Sequence, residues 1–483
     1  MTRSPEPADD ADTGRSVTPD EAVAWAVEAM RARHFAEAAG VLAEVLTVLP
    51  DHPDALHFSG LLAAQNGDEA EAARLVRRSL AVLPTNPHAW NNLGNLLQRA
   101  GDGTAAAEAY MRCLEIVPDF PEALTNIGFM LRTEGDVEAA ERLYRRALAV
   151  RPDFVEALNN LATVLMARGD NPEAERLLRR AIELEPGFGD AYTNLGDALE
   201  RQGKREEAAA FFWKAIAVDR GDRMARKLLI YALVETGQRD KAIEVAREWV
   251  EIHPDDPRAR HHLAAVTGEN VPERASDAYV EDVFDRFAAT FDGSLGRLGY
   301  QAPRLVADLL ARLDPPPAGD LAILDAGCGT GLVGPLVRDR AKTLVGLDLS
   351  AGMLAKAEAR GCYDDLVKGE LTAALAADHE RWDVIVCADT FCYFGDLHAA
   401  FAAARGALRP GGRLVFTVEA LADDDPRGFR LHEGNGRYAH ALGHVDAAFA
   451  AAGLERIDLD RAELRMEGGK PVAGLVVAAR RPH

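Results

Sequence analysis

Alanine returns every 34 residues through the first half of this chain. Ala38, Ala72, Ala106, Ala140, Ala174, Ala208 and Ala242 form one series; Ala55, Ala89, Ala123, Ala157 and Ala191 form another. Pro50, Pro84, Pro118, Pro152 and Pro186 keep the same step, with Pro254 two steps later, and Gly67, Gly101, Gly135, Gly169, Gly203 and Gly237 fall in mid-repeat. A fixed period of this length marks one supersecondary unit stacked on copies of itself. Trp90, Leu93, Gly94 and Leu97 stand at helical spacing. The glycine ends that helix, a second helix follows whose small Ala lets the axes approach, and the Pro stops it or starts the next. One such hairpin cannot bury its own apolar face, so the hairpins must stack into an all-α solenoid.

The period and its Trp–Leu–Gly, Ala and Pro positions resemble the tetratricopeptide repeat over about residues 19–254, roughly seven repeats, with residues 256–266 as a capping half-repeat. An asparagine also keeps the period, at Asn92, Asn126, Asn160 and Asn194. Asn is a poor interior helix residue, roughly 0.6 kcal/mol worse than Ala. Projected at about 100° per residue, Asn92 points nearly opposite the Trp90 face, on the side that becomes the inner surface of the solenoid. An amide offers donors and an acceptor to an extended peptide. The ladder resembles that of the repeat superhelix of O-linked N-acetylglucosamine transferase, which implies a sequence-tolerant peptide grip. The alternative is that these amides bond between neighbouring helices.

After Thr267 the grammar changes. The stretch 272–292 is still helical but out of period, and the run Asp314–Asp320, DPPPAGD, breaks the chain. Then come LAILDAG, TLVGLDLS, WDVIVCAD and RLVFTVE, short apolar runs separated by helical stretches. This alternation predicts a mostly parallel sheet covered on both faces. The expected domains are an acidic disordered tail at 1–18, the solenoid at 19–267, a linker and helical lid at 268–320, and an α/β core at 321–483.

ILDAGCGTGLVG puts Asp325, Gly327, Gly329 and Gly331 between a strand and a helix. Glycines there let the backbone turn sharply and approach a ligand. Such a loop can cradle a dinucleotide or another adenosyl ligand. The next strand ends in Asp348, suited to ribose hydroxyls, and LRPGGRLVF follows at 408–416. Together these motifs resemble the class I S-adenosylmethionine-dependent methyltransferases over about residues 276–483. That resemblance implies a Rossmann-like, mostly parallel seven-stranded sheet. It implies that Gly327, Cys328, Gly329 and Gly331 line the cofactor, with Asp325 on the loop or the amino group. Asp348 would take the ribose diol, Leu349 and Met353 would lie near the adenine, and Glu370 near the adenine amino group. S-adenosyl-L-homocysteine is the implied product. More narrowly, 283–306, 388–397 and 436–455 resemble bacterial predicted methyltransferases that carry tetratricopeptide repeats, whose substrates are undefined.

Candidate acceptor-side residues follow the fourth strand, Asp389, Tyr393 and Phe394, and the fifth, His432, Arg437, Tyr438 and His440. Asp389 also reads as a helix cap. Phe284, Phe287, Phe291 and Tyr300 read as core or as a lid. No metal is expected, because His432, His440 and His444 lack well-spaced acidic helpers and methyl transfer needs none. A carboxylate acceptor needs no base, whereas an amine or hydroxyl does. Adenine amino-methylation is disfavoured because ADTFCYF is not an Asn/Asp–Pro–Pro–aromatic run, and cytosine C5 chemistry because Cys387 and Cys392 lack a preceding Pro.

Composition narrows the partners. A formal charge of −22 disfavours nucleic acid and anionic lipid. The five cysteines include no CxxC pair, and neither a signal peptide nor a long apolar run occurs, so a cytoplasmic protein is expected. The favoured expectation is methylation of a protein or peptide held in the repeat groove. The alternatives are a small-molecule or carrier-bound acceptor with the repeats docking a partner, and a non-enzymatic scaffold.

Overall fold

The structure, a computed structural model, describes residues 17–288, 291–313, 319–423, 425–467 and 469–483. The expected tail except Val17 and Thr18, and the run 314–318, lie outside the described residues. Two compact units are present, one of residues up to 132 with 136–164, the other of 133–135 with 165–483.

The first unit is made of helical hairpins at 19–48, 53–82, 87–116 and 121–150, followed by helix Val155–Ala167. Thr18 opens it with a capping box, its hydroxyl accepting from the Glu21 amide while the Glu21 carboxylate accepts from the Thr18 amide. A Gly–Asp pair builds the turn inside the hairpins at 53–82, 87–116 and 121–150, whereas Arg33 and His34 stand there in the hairpin at 19–48. Gly101 takes φ 81°, and Asp102 then caps the next helix by accepting from the Ala105 amide at 3.0 Å. The repeat glycine inside the first helix serves packing: a Cβ at Gly94 would lie 2.4 Å from the Tyr110 ring. Ala72, Ala89, Ala106, Ala123 and Ala140 are fully buried, where a larger side chain would force the helices apart.

The second unit begins with helix Asn171–Leu184 and the hairpins at 189–218 and 223–252. Helix Pro257–Thr267 ends at Gly268 in the left-handed conformation. This helix does more than cap: Ala264 and Ala265 share a hydrophobic cluster with Leu431 and Tyr438 of the α/β part. Helices Asp277–Phe287, Phe291–Arg297 and Ala302–Leu313 lead into the sheet.

The strands are β1 Leu321–Ala326, β2 Ala341–Asp348, β3 Asp365–Lys368, β4 Trp382–Cys387, β5 Leu408–Ala420, β6 Phe429–Leu431, β7 Tyr438–His440, β8 Glu455–Glu467 and β9 Lys470–Arg480. The order β3-β2-β1-β4-β5 is parallel, and β9 then β8 continue it antiparallel. These are the expected seven strands. The described residues add two three-residue strands, β7 beside the end of β5 and β6 beside β7. Alternate residues of β5 feed opposite cores: Leu414, Phe416 and Val418 pack with Trp382 and Phe401, while Val415 packs with Ile323 and Leu310. Chain order reverses between β1 and β4, which opens a crevice at their carboxyl ends.

Candidate functional site

A cavity of about 1110 Å3 opens at that crevice. The glycine loop, Asp348, Leu349 and Glu370 line one part, and Asp389, Tyr393, Asn435, Arg437, Arg465 and Glu467 line another. Phe284, Phe287, Phe291 and Tyr300 cover it. The repeat helices at 189–252 supply the remaining wall, including Asn194, Met224, Lys227 and Trp249.

The loop is held by the end of β2. The amides of Gly327 and Cys328 donate to the Leu347 carbonyl at 2.7 and 3.0 Å. The Gly329 amide donates to Asp348 Oδ2 at 2.8 Å, and the Ser350 amide donates to Oδ1 at 2.9 Å. Burial raises the Asp348 carboxyl above its ordinary value, against the lowering effect of these amides. Gly327 has φ 76°, and a Cβ there would lie 2.3 Å from Thr390 Oγ1. A Cβ at Gly329 would meet nothing nearer than Phe291 Cε1 at 3.9 Å and would occupy open cavity. A glycine cradle with an acidic residue beside it suits an adenosyl ligand with a ribose diol.

Three cofactor assignments need correction. Asp325 does not reach the cavity: it is fully buried, and Tyr363 Oη donates to its Oδ2 at 2.6 Å. Burial pushes its carboxyl up to about 7. Gly331 makes room for a side chain, since a Cβ would lie 2.9 Å from the Tyr363 ring. Met353 is fully buried and lines no part of the cavity. Glu370 does line it, and its carboxylate also caps the next helix through the Thr372 and Ala373 amides.

The acceptor-side residues divide sharply. Asp389 has φ 57°, and its amide donates to Thr417 Oγ1 at 2.8 Å. Its Oδ2 lies 2.6 Å from Arg437 Nη2, and its Oδ1 lies 3.5 Å from Arg465 Nη1. Glu419 Oε1 bridges the same two arginines, 2.8 Å from Arg437 Nε and 2.5 Å from Arg465 Nη2. Glu467 adds a 3.0 Å pair to Arg465 and accepts from Asn435 Nδ2 at 2.9 Å. The carboxylates raise the Arg437 guanidinium well above its ordinary value despite burial. Arg437 also lies 5.5 Å over the Tyr393 ring. Asp389 is therefore neither a free base nor a helix cap.

The three other candidates lie off the cavity. His432 Nδ1 accepts from the Gly434 amide at 3.1 Å and shapes the loop before β7. Tyr438 is fully buried, its hydroxyl donating to the Pro272 carbonyl at 2.8 Å. His440 is fully buried, and Nε2–H donates to the Phe394 carbonyl at 2.8 Å. Alternation along the short strand β7 turns Tyr438 and His440 away from Arg437. His444 groups with Asp396 and His398, not with His432 and His440, as the one set of potential metal ligands among the described residues.

Residues 324–416 match the family model for a methyltransferase domain. Residues 23–87, 87–153, 131–199, 165–229 and 223–266 match models for the tetratricopeptide repeat. The chain joins tetratricopeptide repeats to a class I methyltransferase domain. Human methyltransferase-like protein 27 is 38% identical over 111 residues, 23% of this chain and 43% of its own length. The malonyl-[acyl-carrier protein] O-methyltransferase of Serratia marcescens is 30% identical over 141 residues, 29% of this chain and 52% of its own. The chain spans about half the length of the curated relatives it matches. A crystal structure of an S-adenosylmethionine-dependent methyltransferase from Mesorhizobium loti aligns with 36% of this chain and 98% of that one, at 24% identity and TM-score 0.30.

The helices before β1 are latched onto the methyltransferase loop. Asp292 Oδ1 accepts from the Thr330 hydroxyl, and its Oδ2 pairs with Arg360. Asp285 accepts from the Ser350 hydroxyl and from the Gly352 amide at 3.1 Å. Phe291 packs edge-on to Phe284 and Phe287 with ring centres 6.0 and 5.3 Å apart. Sequence reasoning missed Glu419, Arg465 and Glu467. The ladder between β8 and β9 slips between Glu463 and Arg465, and such a bulge re-aims side chains in a way simple alternation cannot foresee. It also missed Lys227, which reads as one more charge on a repeat helix.

The asparagines take mixed roles. Asn92 Nδ2 donates to His57 Nε2 at 2.9 Å, and Asn126 Nδ2 donates to Asn91 and Asn95 Oδ1 at 3.1 and 2.9 Å. Both N–H groups of Asn126 are thus spent between helices. The Asn160 backbone carbonyl accepts from the Thr163 hydroxyl at 2.7 Å, a bond its side-chain amide takes no part in, and Asn194 lines the cavity. Among the described residues no helix is long and apolar enough to cross a membrane.

Proposed function

We propose that the protein is an S-adenosylmethionine-dependent methyltransferase whose acceptor is selected by its repeats. The supporting observation is the shared cavity: residues of helices at 189–252 face the glycine loop across one space. At about 1110 Å3 it exceeds most small-molecule pockets, leaving room for an acceptor beside a cofactor. In this reading Gly327, Cys328, Gly329, Asp348, Leu349 and Glu370 hold the cofactor, which when bound supplies an electrophilic methyl group. Phe284, Phe291 and Tyr300 exclude water. The Asp389–Arg437–Arg465 cluster fixes the acceptor wall by charge pairing, so the residues that meet the acceptor are held before it arrives.

The favoured acceptor is a protein or peptide, met in the cavity by the repeat residue Asn194. A carrier-bound small acceptor is the second reading, favoured by the names of several relatives, which are malonyl-[acyl-carrier protein] O-methyltransferases. The protein is expected to function in the cytoplasm. Cofactor tritiated in its methyl group, added with the protein to a cell lysate, tests both readings. Label in polypeptide other than carrier protein is expected. Label confined to small molecules, or to the prosthetic arm of a carrier, would overturn the peptide reading.

A further inference from the structure

The cavity is crowded with arginine, and every one is matched. Among the described lining residues, Arg201 pairs with Asp197, Arg223 with Asp256, Arg258 with Asp256 and Asp282, Arg274 with Asp277, and Arg286 with Asp282. Arg437 and Arg465 share Asp389 and Glu419. Lys227 is the exception: it lines the cavity, is half-buried, and has no ion-pair partner among the described residues. It stands on the repeat helix Arg223–Glu235, where burial and the Arg258 guanidinium lower its ammonium below the ordinary value, Glu467 opposes them, and an entering anion would hold it charged. Glu467 belongs to the acceptor-side cluster and not to the glycine loop. A cation withdrawn from water without a partner is costly. The cost is recovered when an anion enters.

Among the described residues, the acceptor-side cluster offers no unpaired carboxylate or accessible imidazole. Asp389 and Glu419 are shared between two guanidiniums, Glu467 is held by Arg465 and Asn435, and His440 is sealed in the core. Burial also raises the Tyr393 hydroxyl well above its ordinary value. An amine or hydroxyl acceptor must lose a proton, and none of these groups is placed to take it. A carboxylate is already ionised near neutrality.

We propose that the methyl acceptor is a carboxylate, which Lys227 of the repeat segment binds and orients. This rests on the methyltransferase reading above and adds the acceptor's chemistry to it. A carboxylate oxygen forms the new C–O bond as the methyl–sulfur bond breaks, the electron pair of that bond passes to sulfur, and no proton moves. The products are a methyl ester and S-adenosyl-L-homocysteine. Lys227 is thus a specificity-determining residue supplied by the repeats, not by the methyltransferase fold.

The test uses the full chain saturated with S-adenosyl-L-homocysteine and titrated calorimetrically with glutarate, neutral glutaramide and inorganic phosphate. Glutarate is expected to bind at least tenfold more tightly than either comparator. Lys227→Met should weaken glutarate at least tenfold and leave S-adenosyl-L-homocysteine affinity within twofold. Lys227→Arg should restore glutarate to within threefold, because arginine keeps the charge but cannot act as a base. Near-UV dichroism of both variants checks folding, and the arginine variant carries the test if the methionine variant does not fold. Label transferred in the lysate should be released by mild alkali as methanol. Equal glutarate affinity in Lys227→Met, tighter phosphate than glutarate, or alkali-stable label would overturn the proposal. A tenfold loss of S-adenosyl-L-homocysteine affinity in Lys227→Met would assign the lysine to the cofactor and overturn it as well. Failure of the wild type to bind S-adenosyl-L-homocysteine would instead defeat the underlying methyltransferase reading.

Discussion

Asp389 and Arg437, 48 positions apart in sequence, meet in a 2.6 Å ion pair at the mouth of the sheet. Both side chains are largely buried, at 8% and 19% exposure, so neither charge is well solvated without the other. The pair is extended by Glu419 and Arg465 into a cluster that ties the loop after β4 to β5, β7 and β8.

Removing one member should therefore destabilise the domain and not merely slow turnover. Arg437→Met leaves Asp389 and Glu419 with one guanidinium between them. A loss of about 3–5 kcal/mol is expected, the usual cost of breaking a buried pair. Thermal unfolding followed by near-UV dichroism measures it, and Arg437→Lys should recover only part because lysine cannot span both carboxylates.

Gly327 tests the close approach of the loop to the residues after β4. With φ 76° and Thr390 Oγ1 only 2.3 Å from where a Cβ would stand, Gly327→Ala must shift the backbone. A stability loss of about 1–3 kcal/mol is expected together with at least tenfold weaker cofactor binding. Gly327→Ala combined with Thr390→Gly should regain part of both, as read by calorimetry.

Asp325 predicts a pH dependence. Burial raises its folded carboxyl to about 7, above the unfolded value near 3.9. Between those values the folded state holds a proton that the unfolded state has released, so stability falls as pH rises from about 4 to about 7 and levels off above. The contribution is on the order of 4 kcal/mol. Asp325→Asn should remove this slope, and Tyr363→Phe should extend it to higher pH, because the Tyr363 bond favours the ionised form. Unfolding midpoints across pH 4–8 check both.

Asn126→Ala should cost about 1–2 kcal/mol, since it strips two helix-to-helix hydrogen bonds. Affinity for S-adenosylmethionine should not change. Equal stability in the variant would show that these bonds contribute nothing.

The repeats were legible because their signal is periodic and local. Gly67, Gly101, Gly135 and Gly169 each end a first helix, the following Asp caps the second, and Gly94 admits Tyr110. The cofactor loop was legible for the same reason, since Gly327, Gly329 and Asp348 act through a turn and a strand end within 22 residues. The acceptor side was not. His440 and Tyr438 stand in a sequence neighbourhood that suggests chemistry, yet a three-residue strand turns them into the core and leaves Arg437 facing the cavity. Arg465 is delivered by a bulge, and Lys227 by a helix about 160 residues from Asp389; such positions follow from tertiary packing alone. Asp325 shows the reverse error, a motif residue that serves Tyr363 and the sheet instead of the cavity.

The central claim is that the loop from Gly327 to Gly329, with Asp348, holds S-adenosylmethionine. Isothermal titration of the full chain with that compound tests it most directly. One site per chain is expected, abolished in Gly329→Asp, whose side chain would fill the open space beside Phe291, while the fold remains intact. Absence of binding to the wild type, or binding of a nicotinamide dinucleotide in its place, would contradict the account.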